Sequence, residues 1–245
     1  MARRHVIVTD GVGSIGIAVA RHFSALGDRV TVMARTTREV DALAEEIGAR
    51  PVRIDVGDPA SVEAAFMAAG PAEVLVNTAE MQKVAALTST NVRTWEEILK
   101  INLTGAYLCS LKVLPHMIRK GQGRIINVAS TAGLRGYRYM VGYSTAMHGL
   151  VGFSRALAEE VGGQGINVNV VCPWVVIGPE IEAAVLKPPD EAKEGTEPRP
   201  RPIKLADPDA VAEACVWLAG DEGAGIKGQA FAVNAEARIA LLPPV

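Results

Sequence analysis

The sequence predicts an α/β fold: a doubly wound, mostly parallel sheet of about seven strands with helices on both faces, in three αβα layers. Three observations predict it. Short apolar runs rich in branched residues alternate with stretches of helical periodicity along the chain, the pattern of successive βαβ units. A glycine-rich turn, Asp10-Gly11-Val12-Gly13-Ser14-Ile15-Gly16, joins the first apolar run to the first helix. The 245 residues are 49% hydrophobic, enough for one domain, 1–245, with a large core.

The elements follow in order. His5–Thr9 is the first strand, and a helix runs from about Ile17 to Leu26 after the glycine turn. Such a turn offers backbone N–H groups to a phosphate, so Gly11, Gly13, Ile15 and Gly16 are candidate dinucleotide contacts. Arg29–Ala34 is the second strand. Its end carries Arg35 and Arg38 and no acid, which favours a 2′-phosphate, hence NADP(H), over the ribose hydroxyls of NAD. The alternative is two solvated charges at a helix start. Thr37–Ile47 is helical and stops at Gly48. Pro51–Ile54 is the third strand, followed by Asp55. Asp58-Pro59 caps a helix over Ser61–Ala69. Glu73–Val76 is the fourth strand and leads to Asn77-Thr78-Ala79-Glu80. Thr94–Lys120 is one helical region with a break near Gly105. Arg124–Ala129 is a buried strand ending at Ser130. Tyr143–Val161 spaces its apolar residues at helical intervals. Ile166–Val171 is another strand, running into Cys172-Pro173-Trp174. Residues 187–204, rich in proline and charge, form an irregular, mobile, lid-like segment. Asp207-Pro208 starts a helix over Asp209–Leu218, and Ile226–Val233 is the last strand. The apolar tail Ile239–Val245 is expected on a sheet edge or a neighbouring subunit.

Composition narrows the function classes. A net charge of −2 gives no argument for nucleic acid or an anionic membrane surface. There is no apolar run near 18 residues, and the N-terminus enters a strand directly without a signal-peptide pattern, so a cytoplasmic protein is expected. Cys109, Cys172 and Cys215 sit in apolar stretches and are expected as buried, reduced thiols. The four histidines form no ligand spacing with them, so no metal site is proposed.

Ser130 at a strand end and Tyr143 in the first turn of the next helix place a hydroxyl and a phenol where an open parallel sheet builds its site. The Asn-Val-Ala-Ser130 strand end, the thirteen-residue step to Tyr143 and the phenol-led helix resemble the short-chain dehydrogenase/reductase family, whose fold is Rossmann-like. The resemblance runs along nearly the whole chain. It implies that Ser130 orients a carbonyl, that Tyr143 exchanges its proton, and that Asn102 belongs to the active site through its backbone. It also implies that Asp55 and Asn77 lie on the cofactor side. The loop Leu134–Met140, with its aromatic and cationic side chains, suits a flat or anionic substrate at a pocket mouth, or is an ordinary surface loop.

Several positions depart from the family's pattern. Met147 stands where the family has a lysine. Asp10 and Ser14 replace glycines of the turn, Glu80 replaces a glycine against the cofactor, Trp174 a glycine, and Gly178 a threonine. A lysine charge at about 4 Å contributes on the order of 4 kcal/mol at an effective dielectric of 20. Without it Tyr143 is expected to stay near the ordinary phenol value of about 10, an acid rather than a base. Neither Lys112 nor His148 is placed to substitute. Because the departures cluster on the cofactor side, weak dinucleotide binding is expected. The preferred reading is non-redox acid/base chemistry at a Ser130–Tyr143 carbonyl site. Cyclisation, isomerisation, dehydration or epimerisation of a small apolar or polyketide-like carbonyl compound would fit. An NADP(H)-dependent ketoreductase is the alternative, and a non-catalytic partner subunit the third. A homodimer or homotetramer is expected from the apolar helices Thr94–Lys120 and Tyr143–Val161.

Overall fold

The computed structural model describes residues 3–174, 206–233 and 240–241. Its strands are β1 (His5–Thr9), β2 (Arg29–Ala34), β3 (Arg50–Arg53), β4 (Val74–Asn77), β5 (Gly123–Val128), β6 (Ile166–Pro173), β7 (Ala230–Val233) and the two-residue β8 (Ala240–Leu241). Its helices are α1 (Ser14–Ala25), α2 (Thr37–Ile47), α3 (Pro59–Ala69), α4 (Val92–Leu99), α5 (Gly105–Lys120), α6 (Val141–Val161) and α7 (Pro208–Ala219). The sheet order is β3-β2-β1-β4-β5-β6-β7-β8. Seven strands are parallel, and β8 joins the edge antiparallel to β7.

Burial on both faces explains why the strands read as continuous apolar runs. Along β1, Val6 and Val8 enter one core layer and Ile7 the other. The first layer packs α1 through Val19 and Phe23, and α7 through Val211, Cys215 and Leu218. The second packs α3 through Val62 and Phe66, and α5 through Cys109, Val113 and Met117. All three cysteines are free and buried, and burial pushes each thiol up to about 12.

Three expectations need correction. The first helix begins at Ser14, not Ile17, because the turn Gly13 N–H to Asp10 carbonyl already starts the coil (3.1 Å). The Thr94–Lys120 region does not break at Gly105. It begins at Val92, capped by the Asn91 carboxamide, and winds through a π-helical turn, Lys100–Thr104, before α5 continues. The last long strand starts at Ala230 rather than Ile226, whose N–H closes a turn onto Gly223. The tail's Ala240–Leu241 pairs with the sheet edge at β7, one of the two places expected for it. The 187–204 segment and Gly178 lie outside the described residues. No helix among the described residues is long and apolar enough to cross a membrane.

The strand order reverses direction between β1 and β4. Their carboxyl ends therefore diverge into a crevice, the place where open α/β sheets bind ligands. Thr9 and Thr78 close its floor. The Thr9 hydroxyl accepts the Thr78 N–H (3.1 Å), and the Thr78 hydroxyl donates to the Thr9 carbonyl.

Candidate active site

A cleft enclosing about 520 Å³ of empty space, part of it open to solvent, lies over these strand ends. Ile15, Val84, Met140, Tyr137, Pro173 and Trp174 give it apolar walls, and Glu80, Ser130 and Tyr143 supply polar groups. Ile15 belongs to the first turn of α1, so the glycine turn and the Ser–Tyr pair open onto one space.

Ser130 ends β5 and caps the short 3-10 turn Thr131–Gly133, accepting the Ala132 N–H on its hydroxyl (3.1 Å). Tyr143, in the first turn of α6, is buried. Its phenol donates to the Glu80 carboxylate (2.8 Å) and accepts from the Gln82 amide (3.3 Å). The Ser130 hydroxyl stands near enough to favour its ionised form. Gln82 reaches the other Glu80 oxygen as well (3.2 Å), so the three side chains form a closed triangle. Burial raises the Tyr143 pKa well above the ordinary phenol value, the Glu80 charge adds to this, and the nearby Ser130 hydroxyl and the Gln82 bond oppose it. This corrects the expectation of an unperturbed phenol. The missing lysine is only part of the cause, because a carboxylate stands against the phenol.

Glu80 as a residue is exposed to the cleft, while its carboxylate end lies among Tyr143 and Gln82. Burial of that end raises its pKa, with the Asp10 charge pushing the same way and the bonds from Tyr143 and Gln82 opposing. Sequence reasoning flagged Glu80 only as an acid near a cofactor and missed Gln82. No periodicity could have marked it, because Glu80 and Gln82 lie in irregular chain beyond the end of β4.

Asn102 sits in the π turn and is 1% exposed. Its carboxamide accepts the Met81 N–H (2.9 Å) and donates to the Met81 carbonyl (2.8 Å) and the Ile98 carbonyl (2.8 Å). Two of these bonds clamp the backbone between Glu80 and Gln82, and the third ties the side chain to its own helix. π turns recur at functional sites, and here the widened turn carries the clamp. Met147 is 1% exposed in an apolar cluster with Tyr143, Leu150, Val170 and Cys172. The Gly133 backbone presses on it: a Cβ at Gly133 would sit 2.7 Å from the Met147 carbonyl oxygen. Lys112 is paired with Glu63, and His148 bonds the Ser144 carbonyl (2.8 Å). Neither replaces the lysine.

The cofactor-side residues are placed as follows. At Gly11 a Cβ would meet Val32 at 1.9 Å, and at Gly16 the Asp10 carbonyl at 2.2 Å, so both glycines are required for the turn. Asp10 adopts φ 49, the left-handed region that glycine would normally fill, and asparagine and aspartate tolerate it best among other residues. Its carboxylate folds beside Gly13. Ser14 is exposed at the start of α1, whose N-cap, Gly13, has no side chain to cap it. Arg35 is exposed at the end of β2 and Asp55 just beyond β3, where its carboxylate accepts the Gly57 N–H (2.9 Å). Asn77 is not on the cleft surface. It is buried and donates to Asn127 (2.8 Å), which in turn donates to Ser154 (2.8 Å), a ladder tying β4 through β5 to α6.

The residues therefore fit a dinucleotide at its phosphate end. Ser14 is exposed at the turn, and Asp10 keeps the glycine-like backbone while its carboxylate leaves a negative charge beside the cradle. The departures that matter lie at the Tyr143 end, in Glu80 and Met147. Trp174 is a wall of the cleft. It stacks on the Arg135 guanidinium at 4.6 Å, whose other neighbour is the Tyr137 ring at 4.7 Å. No group of metal-ligating side chains occurs among the described residues.

Comparison with known proteins agrees with this arrangement. The family model described as short chain dehydrogenase matches residues 4–187. D-threitol dehydrogenase of Mycolicibacterium smegmatis is 33% identical over 237 residues, 93% of this chain and 90% of the relative. The 3-oxoacyl-acyl-carrier-protein reductase FabG of Escherichia coli is 31% identical over 234 residues, 93% and 94% of the two chains. Among solved structures, a variant of actinorhodin polyketide ketoreductase with NADPH superposes with a TM-score of 0.82 at 31% identity, covering 94% of this chain and 95% of that one.

Proposed function

The chain belongs to the short-chain dehydrogenase/reductase family, and on that footing we propose that it is a carbonyl-acting enzyme whose reaction is NADP(H)-dependent reduction of a ketone. One observation carries the reading: the Ser130 and Tyr143 hydroxyls converge in an apolar cleft that also reaches Ile15 of the glycine turn. Relatives with names as unlike as a threitol dehydrogenase and a 3-oxoacyl reductase point to the shared carbonyl/alcohol chemistry and not to one substrate. The apolar walls favour an apolar or polyketide-like ketone, which supports a ketoreductase over a polyol enzyme.

The exposed Arg35 at the end of β2, with no acid there, supports a 2′-phosphate and hence NADP(H). When bound, that cofactor supplies a hydride. The chain's own residues do the rest. Ser130 and the phenol of Tyr143 orient and polarise the carbonyl oxygen, and Tyr143 gives it a proton. Apolar walls exclude water and strengthen both hydrogen bonds.

The Tyr143–Glu80 bond and Met147 favour a second reading, proton transfer without redox change. There Glu80 would take a proton α to a carbonyl held by Ser130 and return it at another position or face, giving isomerisation or epimerisation.

The deciding experiment incubates the protein with NADPH and a panel of β-keto esters and follows absorbance at the nicotinamide band. In parallel, α-deuteration of the same esters is followed by NMR without cofactor. Consumption of NADPH that vanishes in Tyr143→Phe is the expected result. Deuterium exchange without NADPH consumption would replace the first reading by the second. Neither activity would leave a non-catalytic partner subunit.

A further inference from the structure

We infer that Glu80 is the proton-relay partner of Tyr143, holding the post that the family's pattern gives to a lysine and using the opposite charge. The inference deepens the carbonyl reading above and rests on it for its chemical meaning. Three observations carry it. The Tyr143 phenol has one proton, and it is given to Glu80 at 2.8 Å. Gln82 bridges the two groups, donating to both the phenol and the carboxylate, which fixes their separation. Asn102 clamps the backbone of Met81 between them from both its N–H and C=O sides, so the Glu80–Gln82 segment is held by a buried side chain whose two N–H donors are both engaged.

This geometry makes the protonation of Glu80 a switch on Tyr143. With Glu80 ionised, the phenol proton is committed to the carboxylate and turned away from a substrate. With Glu80 protonated, the carboxyl O–H donates to the phenol oxygen, and the phenol O–H is free to point at a carbonyl. As negative charge develops on the substrate oxygen, the phenol proton passes to it and the carboxyl proton passes to the phenol oxygen. The phenol ends neutral, the substrate oxygen ends as a hydroxyl, and the charge rests on Glu80. No phenolate needs to persist, so no ammonium is needed to hold one. This accounts for a buried, apolar Met147 beside a retained tyrosine.

The groups facing Glu80 support the same direction. Tyr143 and Gln82 bond it, and Asp10 is the charged neighbour acting on it. Burial and Asp10 raise its pKa from the ordinary carboxyl value, which keeps the protonated form available at higher pH. Activity should therefore be present below that raised pKa and be lost as pH rises through it.

Glu80 acts through Tyr143 and is a positioning residue, so the test reads the phenol itself. Ultraviolet difference titration of tyrosinate, with Tyr143→Phe as the blank for the three other tyrosines, isolates Tyr143. In Glu80→Gln the phenol should ionise about one to three pH units lower than in the wild type, the usual effect of removing a charge at hydrogen-bond distance. An unchanged titration would overturn the inference. If Glu80→Gln does not fold, the wild-type protein decides alone: a Tyr143 phenolate formed below about pH 9, a unit under the ordinary phenol value, would also overturn it. For NADPH-dependent reduction of a β-keto ester, the alkaline fall of kcat/KM should disappear in Glu80→Gln, with a loss of roughly 100-fold at the wild-type optimum. A wild-type profile in which the Glu80→Gln change leaves that fall in place counts against the relay. If no ester is reduced at all, the ketoreductase reading fails while the titration still decides the role of Glu80.

Discussion

Met147 and Glu80 belong together at the residue scale. The methionine fills an apolar cluster at 1% exposure, and the carboxylate bonds the phenol that a lysine would otherwise serve. Restoring the lysine should therefore not restore a conventional site. In Met147→Lys an ammonium would be buried among Leu150, Val170 and Cys172, where a charge without a partner costs several kcal/mol or loses its proton. Any approach to Glu80 would hold that carboxylate ionised and keep the phenol proton committed to it. We expect a lower melting temperature and no substantial gain in NADPH consumption with β-keto esters. A large gain with unchanged stability would show that the lysine alone was missing.

At the scale of elements, the π turn between α4 and α5 is the device that holds the site together. An ordinary α-turn places a side chain every 100°, and the extra residue of a π turn re-aims Asn102 at the Met81 backbone. Asn102→Ala removes three hydrogen bonds and leaves the Met81 and Ile98 groups they served to find new partners. Unpaired buried polar groups cost about 1–3 kcal/mol each. The expected result is a destabilisation of roughly 2–4 kcal/mol in denaturant titration, by that same accounting after partial resolvation. Hydrogen exchange of the 80–84 amides should also quicken. Exchange there at the wild-type rate would mean that the segment is held by something else.

At the scale of the whole molecule, α5 carries an apolar face that stands exposed among the described residues. Tyr107, Leu111 and Ile118 of α5 are 46%, 45% and 42% exposed, and their spacing puts them on one side of the helix. Tyr107 meets Phe153 of α6 edge-on at 6.3 Å, and the exposed Gly152 beside it leaves room for a close neighbour. We propose that this face pairs two copies about a two-fold axis. Light scattering should give a dimer or tetramer at micromolar concentration, and Leu111→Glu should shift it to monomer. A wild-type monomer at that concentration would refute the pairing.

Much of this architecture was legible in the sequence because its signals are local. Strands buried on both faces are runs of valine and isoleucine. Helices stop at Gly48 and Gly121 because a left-handed φ there favours glycine, and they start at Asp58-Pro59 and Asp207-Pro208 because a carboxylate accepts an orphan N–H. Ser130 and Tyr143 were legible too, from the motif spacing that carries the family resemblance. What the tertiary structure alone decided is which side chains from distant stretches meet. Glu80 and Tyr143 are 63 residues apart, and only the crevice between the ends of β1 and β4, closed by α6, brings them to 2.8 Å. The same holds for Asn102 on Met81 and for Asn77, which a motif reading placed at the cofactor and the sheet register pairs with Asn127. A sequence states what each residue can donate, accept or bury. Whether a carboxylate becomes a cofactor's obstacle or a tyrosine's partner depends on distances set by packing of elements far apart along the chain.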